Sequence, residues 1–351
     1  MITLTARNLY DLTPQMSVAF DEHAYKRTSR NGKVQRLPGL TSICITHPKE
    51  HVCLYAKRDA NPFFHLIEAM AMLAGRNSNS LLSFLASNMS NFSDDLVRYN
   101  AFYGERARVK WGDQIRSVIH ELRCNPDSRQ AVVNLWDPTD LLRQTKDKAC
   151  NLCMIFSVED GVLHMTTFNR SNDCVWGFLT GANMVHMPFF MEYVASSLGM
   201  SMGNWYHCSA NMHIYEWNEK WQAIEEDPLY GLDPYQERGL RTMPLMVTSG
   251  EVIGFDLELD TLLDQMCGAV ANFKRGFSPV YAVDGSTPAF IKDTVLPMFN
   301  TICLYKKARE GKVEDSQVRE EVMPWVRSIK AQDWQAAARL WLDNRLKGVQ
   351  A

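Results

Sequence analysis

The chain has 351 residues, 46% of them hydrophobic, enough to build one large domain or two ordinary ones. Its 37 basic and 40 acidic side chains are intermixed and leave a net charge of −3. With no basic block, the sequence excludes the electrostatic footprint of a binder of polymeric nucleic acid.

The opening run Met1-Ile2-Thr3-Leu4-Thr5-Ala6-Arg7 is too short and too polar for a signal peptide, so a cytoplasmic chain is expected. Residues 1–60 read as short strands and loops punctuated by Gly32, Pro38 and Gly39. Asn61-Pro62 starts a helix with an amide at the cap and proline in the first turn. Phe63, Leu66, Ile67, Met70 and Leu73 follow at helical spacing, and Gly75 ends it. A polar stretch covers Asn77 to Asp95, and Gln114 to Arg123 is helical. Ala131 to Trp136 reads as a strand. A hairpin follows, from Cys153 to Val158 and from Val162 to Phe168, turning at Glu159-Asp160-Gly161. Gly181 to Met200 is the most apolar long stretch, but it contains His186, Pro188 and Glu192. It predicts a buried helix and not a membrane span. A strand pair is expected around Asn204 to Tyr215. The C-terminal third reads as mostly helical, with an amphipathic helix from about Ala331 to Leu346. The expectation is one α+β domain over residues 1–351, with a core at about 25–220 and a helical extension at about 228–351.

Cys150 and the run Asn169-Arg170-Ser171-Asn172-Asp173 carry the chemistry. The hairpin turn brings an arginine, a hydroxyl, an amide and a carboxylate towards a candidate thiolate. A neighbouring cation stabilises a thiolate, and arginine also holds phosphate by paired hydrogen bonds. Nine scattered cysteines without a leader favour reduced thiols. Cys150 and Cys153 form a C-x-x-C, but no second ligand pair stands at zinc spacing, so no metal is expected. Cys153 is expected to pack in its strand. A cysteine hydrolase would need a histidine base with an orienting partner. His164 lies on the paired strand without one.

In order, Asn125-Pro126-Asp127-Ser128-Arg129, Ala149-Cys150-Asn151, Asn169 to Asp173, Gly177, Asn183 and His213-Ile214-Tyr215 resemble the thymidylate synthases and the related pyrimidine nucleotide hydroxymethylases. The resemblance covers roughly residues 25–220. It implies a mixed sheet packed by helices, with a homodimer formed through the sheet and shared active sites. It implies a pyrimidine nucleoside monophosphate as substrate and 5,10-methylenetetrahydrofolate as cosubstrate. Cys150 would then attack C6, covalent catalysis that makes C5 nucleophilic. Arg170 and Ser171 resemble phosphate ligands, with Arg170 also lowering the thiol pKa. Arg129 resembles the arginine that reaches the partner's phosphate; Gln130 stands where the family usually has a second. Arg30 resembles a mobile phosphate arginine. Glu68 resembles the glutamate that relays protons to the base, Tyr103 the tyrosine near the C5 proton, and Asp173 the folate-contacting aspartate. His213 and Tyr215 resemble the pair that holds the sugar 3′-hydroxyl.

Asn183 is the base-reading candidate, although a straight count from Arg170 lands on Gly181. Counting back from Ala195 selects Asn183, with a two-residue insertion in between. An amide can pair with a pyrimidine edge and glycine cannot. Uracil and cytosine both stay open, as do deoxyribose and ribose; an alternative is that Asn183 caps its helix. Phe92 stands where a synthase has the tryptophan that flanks the exocyclic methylene, and Asn151 replaces the usual histidine. The end, Lys347-Gly348-Val349-Gln350-Ala351, is unlike a synthase tail. These departures favour hydroxymethylation over methylation to dTMP. An inactive scaffold on the same fold is the remote alternative.

Overall fold

Residues 9–23, expected as strand and loop, form helix α1 (Leu9–His23) in the computed structural model, which describes residues 1–246, 252–276, 279–280 and 287–346. Asn8 caps this helix, its side chain accepting the N–H groups of Tyr10 at 2.9 Å and Asp11 at 3.3 Å. Leu9, Leu12, Met16 and Phe20 share its buried face. Pro14 inside the helix, which has no N–H to donate, masks the signal in the sequence. The helix at 62–74, α2 (Pro62–Ala74), runs between the expected signals. Asn61 accepts the Phe64 N–H at 3.0 Å, and Gly75 closes the end with φ +70°. The polar stretch after it contains a short helix, α3 (Asn79–Leu85), and a 3₁₀ segment, Ser87–Phe92. The spaced Leu81, Leu82 and Leu85 supply the buried side that its polar composition hides.

Six strands form the larger sheet in the order β1 (Ile2–Ala6), β4 (Thr41–Ile45), β9 (Ser201–Ser209), β7 (Val162–Asn169), β6 (Asn151–Glu159) and β5 (Val132–Asn134). It is mixed: β1 and β4 are parallel, as are β7 and β9, and the other neighbours are antiparallel. The β6–β7 turn has Asp160 and Gly161 at φ 52° and 77°, both positive as a two-residue hairpin turn of the favoured twist requires. The smaller sheet runs β2 (Tyr25–Ser29), β3 (Gly32–Arg36), β10 (Met212–Tyr215) and β8 (Asn172–Asp173). Thus β9 and β10, expected as partners, belong to different sheets. The bend at Ala210-Asn211 separates them and hands the chain from one sheet to the other.

Two short helices, α4 (Tyr103–Arg108) and α5 (Gln114–Cys124), precede β5. Helix α6 (Ala182–Leu198) is buried along nearly its whole length and packs against α2, which is buried throughout. Each fully buried large apolar side chain on these helices contributes about 1.5–3 kcal/mol relative to exposure. Pro188 is accommodated within α6. After β10 come α7 (Lys220–Glu225) and α8 (Pro234–Glu237). The C-terminal helices are α9 (Val252–Ala271), α10 (Leu296–Glu310), α11 (Asp315–Ser328) and α12 (Gln332–Asp343). They dock on the outer side of α2. Trp341 meets Phe63 edge-on at 5.3 Å, and Arg345 forks onto the Asp59 carboxylate at 2.7 and 2.8 Å. A single hydrophobic cluster joins Ala6 to Leu346. Among the described residues, no helix is long and apolar enough to cross a membrane. The segment Lys347 to Ala351 lies outside the described residues.

Candidate active site

Cys150 stands at the entry to β6, beside the exit of β7. The Arg170 N–H donates to the Cys150 carbonyl at 2.9 Å. The Arg170 guanidinium wraps the same turn, with Nε 2.8 Å from Ala149 O and Nη2 3.0 Å from Lys148 O. Nη2 also lies 3.5 Å from Cys150 Sγ. Tyr103, the first residue of α4, accepts the N–H groups of Cys150 at 3.1 Å and Asn151 at 3.3 Å. Its hydroxyl therefore fixes the backbone that carries Cys150.

Burial at the foot of the cleft pushes the Cys150 thiol above its ordinary value, although the residue is partly exposed. Arg170 is the largest opposing influence; Asp147 pushes the thiol up further and Arg30 pulls it down. Arg170 thus lowers the thiol pKa as expected, but desolvation outweighs it. Arg30 sits at the exposed tip of the β2–β3 hairpin. The neighbouring Asn31 donates to Tyr215 Oη at 3.4 Å, which ties that tip to β10.

On β10, His213 and Tyr215 point to one side with ring centroids 5.1 Å apart. Across the parallel β8–β10 pair, His213 lies opposite Asp173. Burial raises the pKa of Asp173 and lowers that of His213. Asp173 Oδ1 caps the next turn, accepting from Val175 N at 2.8 Å and Trp176 N at 3.2 Å. That turn, Cys174–Phe178, is π-helical. Three residues beyond it stands Gly181, where any Cβ would fall 1.9 Å from Trp176 O. Gly181 is the N-cap of α6, so Asn183 is buried in the first turn and is not the cap. Asn183 Oδ1 accepts from Asn151 Nδ2 at 3.3 Å. Ser171 is partly buried between Arg170 and β8.

Cys150, Tyr103, Arg170, Arg30 and Asn183 therefore converge, with Asp173, His213 and Tyr215 on the adjoining small sheet. Glu68 is buried on α2 against His186 of α6, at 2.9 Å. Phe92 is 47% exposed at the end of its 3₁₀ segment. Asp94 just beyond it accepts the Lys146 N–H at 3.0 Å, which fastens that segment to the approach to Cys150. Arg129 is exposed on the α5–β5 turn, in a shallow recess with Asn125, Asp127, Ser128 and Gln130. Among the described residues it makes no ion pair within its own chain. His164 is turned elsewhere: its Nδ1 accepts the Asn204 N–H at 3.1 Å, so it is no base for Cys150. Cys153 is partly exposed in β6.

Three polar residues have no role of their own assigned from the sequence, although Asn169 opens the run that marks the site. Asp147 accepts the Ala101 N–H at 2.7 Å, and burial raises its pKa to about 6. Asn169 is buried with neither side-chain amide atom paired among the described residues. His186 is the third. Its one available signal was its spacing, one turn beyond Asn183 in an apolar helix.

A partly exposed thiol beside an arginine fork, with a buried amide nearby and a histidine–tyrosine pair on the adjoining sheet, is an arrangement that can support covalent chemistry on an anionic compound. The chain belongs to the thymidylate synthase family. The family model for thymidylate synthase matches residues 59–229. Along its whole length the chain is similar to a deoxyuridylate hydroxymethyltransferase of Pseudomonas phage M6. The two are 32% identical over 361 aligned residues, covering 100% of this chain and 96% of that protein. A deoxyuridylate hydroxymethyltransferase of Bacillus phage SP01 is 37% identical over 187 residues, 49% of this chain and 48% of that one. A putative thymidylate synthase of Methanosarcina barkeri is 34% identical over 125 residues, 35% of this chain and 55% of its own.

Proposed function

We propose that the chain hydroxymethylates C5 of a pyrimidine nucleoside 5′-monophosphate, with deoxyuridylate as the favoured substrate. The observation that carries this reading is the full-length similarity to the phage M6 deoxyuridylate hydroxymethyltransferase, which includes the C-terminal helices. The base choice is supported by Asn183, whose amide offers one donor and one acceptor, the complement of uracil O4 and N3–H.

Arg170, Ser171 and Arg30 hold the phosphate, and Arg129 serves the phosphate of the partner in a homodimer. His213 and Tyr215 take the sugar hydroxyl. Methylenetetrahydrofolate supplies the carbon at the oxidation level of formaldehyde. The Asp173 carboxylate beside the exposed Trp176 indole, itself backed by the Arg58 guanidinium at 4.1 Å, fits a flat heteroaromatic with N–H donors. Cys150 Sγ bonds to C6, and the C5–C6 electron pair moves through C5 towards O4. C5 then bonds to the one-carbon unit and loses its proton near Tyr103; the bond from that carbon to the folate nitrogen breaks, its electron pair leaves with tetrahydrofolate, and an exocyclic methylene remains. Water oxygen bonds to that methylene carbon and its proton passes to Glu68. The electron pair displaced onto O4 returns, re-forms the C5–C6 double bond and expels the thiolate. No electron is gained or lost, so tetrahydrofolate is the spent form.

Incubation with methylenetetrahydrofolate and each of dUMP, dCMP, UMP and CMP tests the reading by product mass. Gain of CH2O by dUMP is expected. Gain of CH2 together with dihydrofolate would instead make the chain a methylating synthase.

A further inference from the structure

Glu68 and His186 face each other from α2 and α6, and both are buried. Oε2 and Nε2 approach to 2.9 Å, but out of hydrogen-bond line, and among the described residues His186 Nδ1 has no partner. Burying such groups in an apolar helix pair is costly unless they are paired and used. The surrounding charges give the pair no other partner. His65, one turn before Glu68, is kept neutral because burial lowers its pKa to about 3, with Arg58 and His186 adding to the effect. Arg58 is turned to Thr180 Oγ1 at 3.0 Å. Tyr99 gives its hydroxyl to Asn79 at 2.8 Å. Asn183 lies one turn before His186 on the same face of α6. Asn183 in turn accepts from Asn151, the neighbour of Cys150, at 3.3 Å, so the pair lies one helical turn from the polar groups beside the thiol.

We propose that His186 is a positioning residue for Glu68. It engages Oε2 and so leaves Oε1 to face the pyrimidine edge at Asn183. An ionised carboxylate only accepts, so the proton between the two resides on Nε2 until Glu68 takes one from water. The pair then carries one negative charge and one mobile proton, which a lone buried carboxylate could not keep in place. This rests on the pyrimidine reading above.

The test compares His186→Leu, His186→Gln, Glu68→Gln and the double variant Glu68→Gln/His186→Leu, each checked for folding by thermal melting. His186→Leu should lower kcat by about tenfold or more, with KM within about threefold. His186→Gln keeps an N–H donor and should recover most of that loss. The double variant should be no slower than Glu68→Gln alone, because the two residues act as one unit. Full activity in folded His186→Leu, equal loss in Leu and Gln, or additive losses in the double variant would each overturn the assignment. A wild-type protein that makes product from none of the nucleotides overturns the functional reading as well, so the two failures are distinguishable.

Discussion

Nη2 of Arg170 stands 3.5 Å from Sγ of Cys150 while the same guanidinium grips the carbonyls of Ala149 and Lys148. The arginine is thus part of the turn that holds Cys150, and not a loose surface cation. Because burial raises the thiol pKa and Arg170 is the main influence lowering it, Arg170→Leu should move it further up. Alkylation of Cys150 by iodoacetamide, followed by peptide mass across a pH series, should shift to higher pH and slow several-fold near neutrality. Arg170→Lys should fall between, since the charge remains but the fork is lost. An unchanged profile in Arg170→Leu would assign the thiolate to other partners.

Cys150→Ala should abolish both product formation and exchange of the C5 hydrogen of dUMP. Cys153→Ala should leave most of both, as Cys153 sits partly exposed in β6. Equal loss in the two variants would point to a paired-thiol site.

Local signals with a single physical cause were legible in the sequence. Asn61, Pro62 and Gly75 bound α2 as read, and Asp160-Gly161 turns the hairpin. Helix α1 was not legible because Pro14 contradicts its apolar spacing, and tertiary burial overrides that local penalty. The separation of β9 and β10 into two sheets depends on partners far away in the chain, β4 and β3. At the site, residue types in order located Cys150, Arg170 and Asn183. Two features needed coordinates: the closeness of His186 to Glu68, set by how α2 crosses α6, and the desolvation that outweighs Arg170 at the thiol.

If Arg129 serves the partner subunit, inactive Cys150→Ala and inactive Arg129→Ala proteins should complement when subunits exchange. Closed twofold pairing is the commonest oligomer, and the exposed, unpaired Arg129 fits it. Mixed dimers should regain about one working site per dimer. Proven exchange without recovered activity would place Arg129 outside the site.

Phe92 is 47% exposed and tied through Asp94 to the approach to Cys150, and under the proposed reaction it would control water at the last step. Phe92→Trp adds aromatic surface that can stack on the methylene and displace water. Traces of dTMP and dihydrofolate should rise relative to the hydroxymethyl product. An unchanged ratio would assign water access to another segment.

Asp333, in the first turn of α12, sits where the C-terminal extension meets the core through Tyr235 of α8, whose hydroxyl accepts the Val52 N–H at 3.2 Å. It is buried, accepts from Tyr235 Oη at 3.2 Å, and burial raises its pKa to about 7. In the unfolded chain the group returns to about 3.9. Between those values the folded protein keeps a proton that the unfolded chain has released, so this group makes stability fall as pH rises from about 4 to about 7. Below that window the contribution is fully present, and above about 7 it is lost. Asp333→Asn keeps the shape and can still accept from Tyr235 without ionising. It should therefore be no less stable than wild type at about pH 8 and should have a flatter profile between about pH 4 and about pH 7. Urea midpoints of the two proteins across that range measure the difference, in which all other titrating groups cancel. Parallel curves would mean that Asp333 is ionised in the fold, and that the C-terminal extension docks with its carboxylate paired.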